Sequence, residues 1–217
     1  MDKKFIRQAD LIDMKRLGQT AVTIIGAGSI GSFATYALAK MGIKDITVYD
    51  YDIVEEHNFS NQIYNANDIG KKKVACLKNR IKLDTGLDIK AVEDRYETQK
   101  LKGIVISAVD SMEERGIIWK NCKMEYDVSL FIDVRIGGQV YRIYVVNPMD
   151  PDEIEEYESS LYPSSEASPL KCTERSIIFS VLGPVAMICN AVKNYANKNQ
   201  HRLEFIFDFA TLYATPV

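Results

Sequence analysis

The chain has 217 residues and a net charge of -3 at pH 7, with 47% hydrophobic and 26% charged residues. This length suffices for one α/β domain with a sizeable core, and the composition is that of an ordinary globular protein. The charge argues against nucleic-acid binding, and the polar N-terminus and interrupted apolar runs predict neither a signal peptide nor a membrane span. Because the four cysteines form no C-x-x-C pair, we expect a cytoplasmic protein without disulfides or structural zinc.

The first predicted elements are a strand at residues 21–25, a glycine turn and a helix at residues 29–41. The turn contains Gly26, Gly28 and Gly31, which fit the pattern G-x-G-x-x-G. In that pattern one glycine makes the turn, one admits a phosphate and one packs the helix on the strand. The helix start also presents free N–H groups and a positive dipole end, which favour an anion. The loop therefore predicts a nucleotide site that is compatible with both NAD and ATP.

The later segments continue the alternation of strands and helices. Strands are predicted at residues 46–49, 89–92, 104–108, 130–134, 140–146 and 203–209, and helices at 70–83, through 117–119 and at 177–192. This order predicts an α/β fold with a Rossmann-like, doubly wound, mostly parallel sheet. Residues 151–169 are acidic, rich in serine and proline, and without periodicity. We therefore expect a single domain over residues 1–217 with a mobile crossing loop at about 150–170.

An acidic residue, Asp50, lies about twenty residues beyond the glycine loop, where a carboxylate can hold a ribose hydroxyl pair. An NAD-dependent oxidoreductase would fit to this point. Such an enzyme usually carries a second, substrate-binding domain, for which 217 residues leave little room. Four further features lie where a dinucleotide-binding fold would not require them. They are the sequence DYDIVEEHNFSNQ at 50–62, the lysine cluster at 69–73, Asp110 with Arg115, and the sequence FIRQ at 5–8.

Together these features resemble the ThiF/MoeB family, the activating enzymes for ubiquitin and for prokaryotic ubiquitin-like sulfur carriers. The family elements matched are R-Y-x-R-Q at 5–8, G-x-G-x-x-G-S at 26–32, D-x-D-x-V-x-x-x-N-L-x-R-Q at 50–62, G-x-x-K at 70–73, D-x-x-x-x-R at 110–115 and V-L-G-P-V at 181–185. The resemblance extends from about Phe5 to the end of the chain. The order and spacing of the elements are more specific than any one of them.

The resemblance implies that ATP adenylates the C-terminal carboxylate of a small ubiquitin-like or sulfur-carrier protein, or of a peptide, with release of pyrophosphate. Arg7 and Lys73 would neutralise phosphate charge, and Asp110 would help to hold Mg²⁺. In the family the N-terminal arginine reaches the neighbouring subunit's site, which implies a homodimer. The nucleotide-binding residues would be Gly26, Gly28, Gly31, Asp50, Asp52, Asn58, Asn61, Gln62 and Lys73.

Two positions depart from the family pattern. Asn61 stands where the family has an arginine, which removes one phosphate contact, and the paired C-x-x-C zinc ligands of many relatives are absent. The first departure leaves two interpretations open, an active enzyme with a rearranged phosphate site or a non-catalytic partner subunit. Simpler explanations also exist for the charged residues. Residues 71–73 can be a solvated helix face, Asp110 a helix N-cap and Arg7 part of a frayed terminus.

Cys172 is the candidate nucleophile. It ends the predicted crossing loop, where relatives that form a thioester or acyl-persulfide place their cysteine, and Lys171 or Arg175 could lower its thiol pKa. An ordinary, partly buried cysteine is the alternative, and some family members adenylate without any catalytic cysteine. The other cysteines, Cys76, Cys122 and Cys189, are predicted to pack in helices.

Overall fold

The structure, a computed structural model, describes residues 3–162 and 176–216. Its strands are β1 (Ala21–Ile25), β2 (Asp45–Tyr49), β3 (Lys90–Val92), β4 (Gly103–Ser107), β5 (Val128–Gly137), β6 (Val140–Val146), β7 (Glu204–Asp208) and β8 (Tyr213–Pro216). Its α-helices are α1 (Met14–Leu17), α2 (Ser29–Met41), α3 (Lys73–Thr85), α4 (Met112–Cys122), α5 (Pro151–Ser159) and α6 (Ile178–Ala196). Short 3-10 turns span Lys3–Gln8, Glu56–Asn58 and Ala66–Asp68.

The eight strands form one sheet in the order β3-β2-β1-β4-β5-β6-β7-β8. Strands β1 to β5 pair in parallel, and β5 to β8 continue as antiparallel neighbours. From β1 the chain proceeds outward to β2 and β3 and then crosses back to β4 on the other side of β1. This reversal opens a crevice at the carboxyl ends of β1 and β4, where open α/β sheets bind ligands. The predicted Rossmann-like, mostly parallel sheet is confirmed.

The core lies on both faces of this sheet. Helices α2, α3 and α6 supply Leu38, Leu77 and Ile188 to one apolar cluster, and α4 and α5 supply Ile118 and Tyr157 to the other. The central strands are therefore covered on both sides, which is why β1 reads as a continuous apolar run. Within residues 3–162 and 176–216, no helix has the length and hydropathy needed to cross a bilayer.

The prediction of a loop at 150–170 is wrong for its first part, because Pro151–Ser159 form α5. The Asp150 side chain accepts hydrogen bonds from the N–H groups of Asp152 and Glu153, and proline suits the first helical turn. Ile154 and Tyr157, three residues apart, are the buried positions of this acidic helix. Two buried positions in nine residues produce too weak a periodicity to outweigh the acidic composition. Residues 163–175, with the predicted nucleophile Cys172, lie outside the described residues.

The C-terminal region was predicted as one strand at 203–209, but the structure contains a hairpin of β7 and β8. The Asp208 carboxylate accepts hydrogen bonds from the Ala210 N–H at 2.8 Å and the Thr211 hydroxyl at 3.0 Å, which closes the turn. The turn lacks a glycine and uses Leu212 with a φ of 56°. The segment has no glycine, proline or asparagine, so Asp208 is the one turn residue that the sequence offers at this point.

Candidate functional site

The glycine loop joins β1 to α2 at the crevice. Gly26 has a φ of +95°, and a Cβ there would lie 2.6 Å from the Ala108 carbonyl oxygen. A Cβ on Gly31 would lie 1.8 Å from the Gly26 oxygen. In contrast, a Cβ on Gly28 would meet nothing within 4 Å. Gly26 and Gly31 thus allow close packing of the loop against Ala108 and against itself. Gly28 faces open space beside the start of α2.

This difference predicts opposite phenotypes for two glycine variants. Gly31→Ala is expected to destabilise the fold by about 3 kcal/mol, because its methyl group has no space. Gly28→Ala is expected to change stability by less than about 0.5 kcal/mol. It should nevertheless reduce the thermal stabilisation by Mg·ATP, because a methyl group would occupy the approach to the loop. Thermal unfolding with and without Mg·ATP measures both effects. Equal Mg·ATP stabilisation of Gly28→Ala and wild type would place the nucleotide elsewhere.

Asp50 ties the end of β2 to the glycine loop. Its Oδ2 accepts a hydrogen bond from the Ala27 N–H at 2.6 Å, and its Oδ1 accepts one from the Asp52 N–H at 2.8 Å. The buried Tyr64 hydroxyl donates to the Ala27 carbonyl at 2.7 Å from the other side. Burial, followed by the Asp50 charge, raises the pKa of Tyr64, so its proton stays in place as a donor. The sequence pattern identified Asp50 but gave no signal for Tyr64.

Lys73 differs from the lysines that precede it. Its side chain is 8% exposed, and its Nζ lies 2.8 Å from the Asp52 Oδ2. Helix α3 begins at this residue, not at Gly70 as predicted, and its N–H donates to the Asp52 carbonyl. Lys71 is exposed, whereas Lys72 donates to the Tyr51 carbonyl at 2.7 Å. The interpretation of residues 71–73 as a solvated helix face therefore does not hold for Lys73. Its ammonium is bound by Asp52, just after the end of β2.

Asp110 lies in the turn between β4 and α4 (residues 108–111, called the β4–α4 turn). The explanation of Asp110 as a helix N-cap is wrong, because the cap is Ser111, whose hydroxyl accepts from the Glu114 N–H. Asp110 is exposed and makes no hydrogen bond or ion pair within residues 3–162 and 176–216. Its carboxylate is consequently available to a ligand.

Glu114, in the first turn of α4, interacts electrostatically with the other acidic residues at the crevice. Burial raises its pKa, and the charges of Asp110, Asp52 and Asp50 raise it further, against the opposing effect of Arg95. The ends of β2 and β4 therefore place their carboxylates in one region of negative potential. The sequence shows no signal for Glu114, because its proximity to the other carboxylates depends on how α4 packs against the sheet.

These carboxylates do not make a metal cage on their own. In the part of the chain that the structure describes, no group of three or more His, Cys, Asp and Glu side chains is placed to hold a metal ion. Mg²⁺ typically takes only one or two carboxylates and completes its shell with water and phosphate oxygens. The unpaired Asp110 carboxylate fits that manner of binding.

The amide side chains predicted from the loop at 50–62 have different environments. Asn58 is buried, and its Oδ1 accepts from the Glu55 N–H at 2.9 Å, so it stabilises the loop itself. Asn61 donates from Nδ2 to the Ser176 hydroxyl at 2.8 Å. The Gln62 Oε1 is buried and has no hydrogen-bond partner among the described residues. Since buried polar atoms are normally paired, Gln62 has an acceptor free for a ligand or a water molecule.

Arg7 is not brought to the other predicted residues of its own chain. The Gln8 side chain donates to the Met41 carbonyl, which fixes the N-terminal 3-10 turn at the carboxyl end of α2. The glycine loop is at the opposite end of this helix, whose 13 residues span about 20 Å. Arg7 is exposed there and has no polar partner among residues 3–162 and 176–216. An Arg7 that acts on a nucleotide must therefore act in another copy of the chain.

The described cysteines are packing residues, as predicted. Cys76 and Cys122 are buried in α3 and α4, and Cys189 is half-buried in α6. Burial raises the pKa of each thiol, to about 11 for Cys189, so none is an activated thiolate at neutral pH.

A cavity of about 200 Å³ lies away from the crevice, between the start of β5 and the end of α6. Arg16, Leu130, Tyr195 and His201 are among its lining residues, and none of the predicted site residues borders it. We place the site at the carboxyl-end crevice because the loop, the strand-end carboxylates and Lys73 converge there.

A glycine loop that opens a helix, beside an acidic strand end at the reversal of a doubly wound sheet, defines a nucleotide-binding protein of the Rossmann type. The particular family follows from the whole chain. The protein belongs to the ThiF family, whose family model matches residues 3–210.

The chain is similar to adenylyltransferases in sequence and in structure. It is 33% identical over 129 residues to a probable molybdopterin-synthase adenylyltransferase of Gracilaria tenuistipitata var. liui. The aligned region covers 56% of this chain and 36% of that protein. It is 22% identical over 192 residues to the molybdopterin-synthase adenylyltransferase of Haemophilus influenzae, which covers 84% of this chain and 76% of that one. The fold matches E. coli MccB, crystallised with AMPCPP and MccA, with a TM-score of 0.80 and 15% identity over 100% of this chain and 71% of that chain. The match to the Gracilaria protein thus spans about a third of that protein's length.

Proposed function

We propose that this protein uses ATP to adenylate the C-terminal carboxylate of a small ubiquitin-like or sulfur-carrier protein, or of a peptide, and releases pyrophosphate. The observation that carries the proposal is the convergence of Asp50, the buried Lys73 and the unpaired Asp110 around the glycine loop of a ThiF-family chain. The names of the two relatives describe adenylyl transfer to a protein. The MccB crystal contained an ATP analogue together with MccA.

The reaction needs cations more than it needs a base. The acceptor carboxylate is already ionised, so its oxygen attacks the α-phosphorus directly and forms a new O–P bond. The bond from the α-phosphorus to the bridging oxygen breaks, and pyrophosphate leaves with the electron pair. Positioned positive charges stabilise the charge that develops on the phosphates.

The residues at the crevice supply these functions. Lys73 would contact the phosphates while Asp52 holds its ammonium in place, and Asp50 would accept the ribose hydroxyls with its remaining lone pairs. The N–H groups at the start of α2 would bind phosphate oxygens. Asp110 would be a ligand of Mg²⁺, which supplies further positive charge to the triphosphate when bound. Arg7 would enter the site from the second subunit of a homodimer.

Asn61 would not replace the family arginine at the phosphates. Its amide nitrogen is bonded to Ser176, so it ties the segment before α6 to the nucleotide loop. The phosphate site would then rely on Lys73 and on the partner's Arg7, which favours the interpretation of an active enzyme with a rearranged site.

Two measurements test the proposal against its alternatives. Thermal unfolding with Mg·ATP or NADH should show stabilisation by Mg·ATP only, because ligands stabilise the state that binds them. ATP–pyrophosphate exchange with a sulfur carrier that ends in Gly-Gly should then detect the adenylate. Stabilisation by NADH alone would support an oxidoreductase. Failure to bind ATP, together with tight association with another ThiF-family protein, would support a non-catalytic partner subunit.

For Cys172 we propose a second step, in which its thiolate attacks the acyl-adenylate carbonyl, forms a thioester and expels AMP. Cys172→Ala should then retain pyrophosphate exchange but form no thiol-sensitive adduct with the carrier, as seen on non-reducing gels. Cys189→Ala is the matched control, because that thiol is half-buried with a raised pKa and should remain dispensable. A thiol-sensitive adduct that persists in Cys172→Ala would exclude Cys172 as the acceptor.

A further inference from the structure

A fully buried carboxylate in β5 holds two arginines. Asp133 is 0% exposed and accepts a hydrogen bond from Arg115 of α4. Its Oδ2 accepts from the Arg135 Nε at 2.9 Å and from the Tyr157 hydroxyl at 3.1 Å. Burial lowers the pKa of Arg115 to about 10, so the guanidinium still carries its charge at neutral pH. These hydrogen bonds offset the cost of burying the ions, although the Arg115 Nε is buried without a partner among the described residues.

One branch of this network reaches the β4–α4 turn. Arg115 donates from Nη2 to the Val109 carbonyl at 2.7 Å, and Val109 immediately precedes Asp110. Asp133 is also the register partner of Ser107, the last residue of β4. The carboxylate therefore lies beside the strand end that carries Asp110, and Arg115 connects it to the backbone of the turn.

The other branch reaches the end of α5. Arg135 donates from Nη1 to the Ser160 carbonyl at 2.8 Å and from Nη2 to the Ser160 hydroxyl at 3.0 Å. Its guanidinium also lies over the ring of Tyr144, at 4.7 Å from the centroid. Two independent hydrogen bonds and a cation–π contact fix this side chain in one geometry.

We infer that Asp133 is a positioning residue for Asp110. Through Arg115 it fixes the backbone of the β4–α4 turn, and through Arg135 and Tyr157 it fixes that turn relative to α5. The inference rests on the proposed function, because Asp110 receives its role as a Mg²⁺ ligand there. A ligand whose backbone is held by buried charged hydrogen bonds keeps the orientation that metal binding needs.

Titration calorimetry with ATP, in Mg²⁺ and in EDTA, tests the inference without any carrier. The ratio of the two affinities is the metal-dependent gain in ATP affinity. Asp133→Asn should lower this gain about 10-fold, the usual scale for a group that orients a metal ligand, and leave the EDTA affinity unchanged. Asp110→Asn should abolish the gain.

Two further variants separate positioning from stability. Arg115→Lys keeps a positive charge for Asp133 but loses the bond to Val109, so it should lower the gain even if Asp133→Asn fails to fold. Thr20→Val is the control, because Thr20 is 7% exposed and its hydroxyl donates to the Arg16 carbonyl at 2.9 Å before the start of β1, outside the Asp133 network. It should lower the melting temperature and leave the gain unchanged.

A wild-type gain in Arg115→Lys and in folded Asp133→Asn would overturn the inference and leave the proposed function intact. Failure of the wild-type protein to bind ATP at all would overturn the proposed function, and this inference with it.

Discussion

Replacement of Lys73 by alanine is expected to lower ATP–pyrophosphate exchange by ~10²–10³-fold, the usual scale for removing one preorganised charge. The reason is its environment, since the ammonium is nearly buried and is held by Asp52 at the end of β2. A cation that is fixed in advance needs no reorganisation as charge develops on the phosphates. Asp110→Ala should show a loss on the same scale.

The assay is exchange of labelled pyrophosphate into ATP, with a sulfur carrier ending in Gly-Gly as the acceptor. Lys71→Ala is the matched control, because it removes an exposed lysine two residues away and should retain wild-type exchange. Exchange at the wild-type rate in Lys73→Ala would remove Lys73 from the mechanism.

The second large effect is the recovery of activity when two inactive variants are mixed. Arg7→Ala and Asp110→Ala homodimers should each be inactive if every site combines Asp110 of one subunit with Arg7 of the other. Random exchange of equal amounts makes half of the dimers mixed, and each mixed dimer has one intact site of two. The mixture should therefore recover about a quarter of wild-type exchange.

Subunit exchange has to be verified with differently tagged chains. Mixed dimers that form without recovery of exchange would contradict a composite site. The position of Arg7 at the far end of α2 makes the expectation specific, since a site within one chain is too distant for this side chain.

The parts of the fold that the sequence predicts well are those with local causes. The bounds of α2, residues 29–41, are predicted correctly because glycines stand at both ends and small or apolar residues fill the turns between. Gly42, with a φ of 109°, ends the helix in the left-handed conformation that glycine favours. Strand β6 at 140–146 is predicted for a similar reason, since it is bounded by glycine and Asn-Pro.

The parts of the structure that the sequence does not predict depend on contacts between residues distant in the chain. Helix α5 buries only two side chains, and the acidic composition of the rest of the helix is typical of a loop. In the candidate site, Asp50, Lys73 and Asp110 follow from motifs, whereas the contact between Asp133 and Arg115 does not. No spacing in the sequence indicates that a strand carboxylate and a helix guanidinium will meet inside the protein. The burial of Lys73 is equally invisible, because its neighbours Lys71 and Lys72 are the same residue type.

The strand order also constrains when the crevice can form during folding. Val22 of β1 pairs with Ile104 of β4, so one wall of the crevice is contributed by a segment synthesised long after the glycine loop. Parallel pairing over such a separation requires closure of a long loop before any contact stabilises it, which makes this step slow. A nascent chain that ends before β4 therefore has the phosphate-binding loop without the turn that carries Asp110. Stabilisation by nucleotide should consequently appear late in refolding, together with the β1–β4 pair.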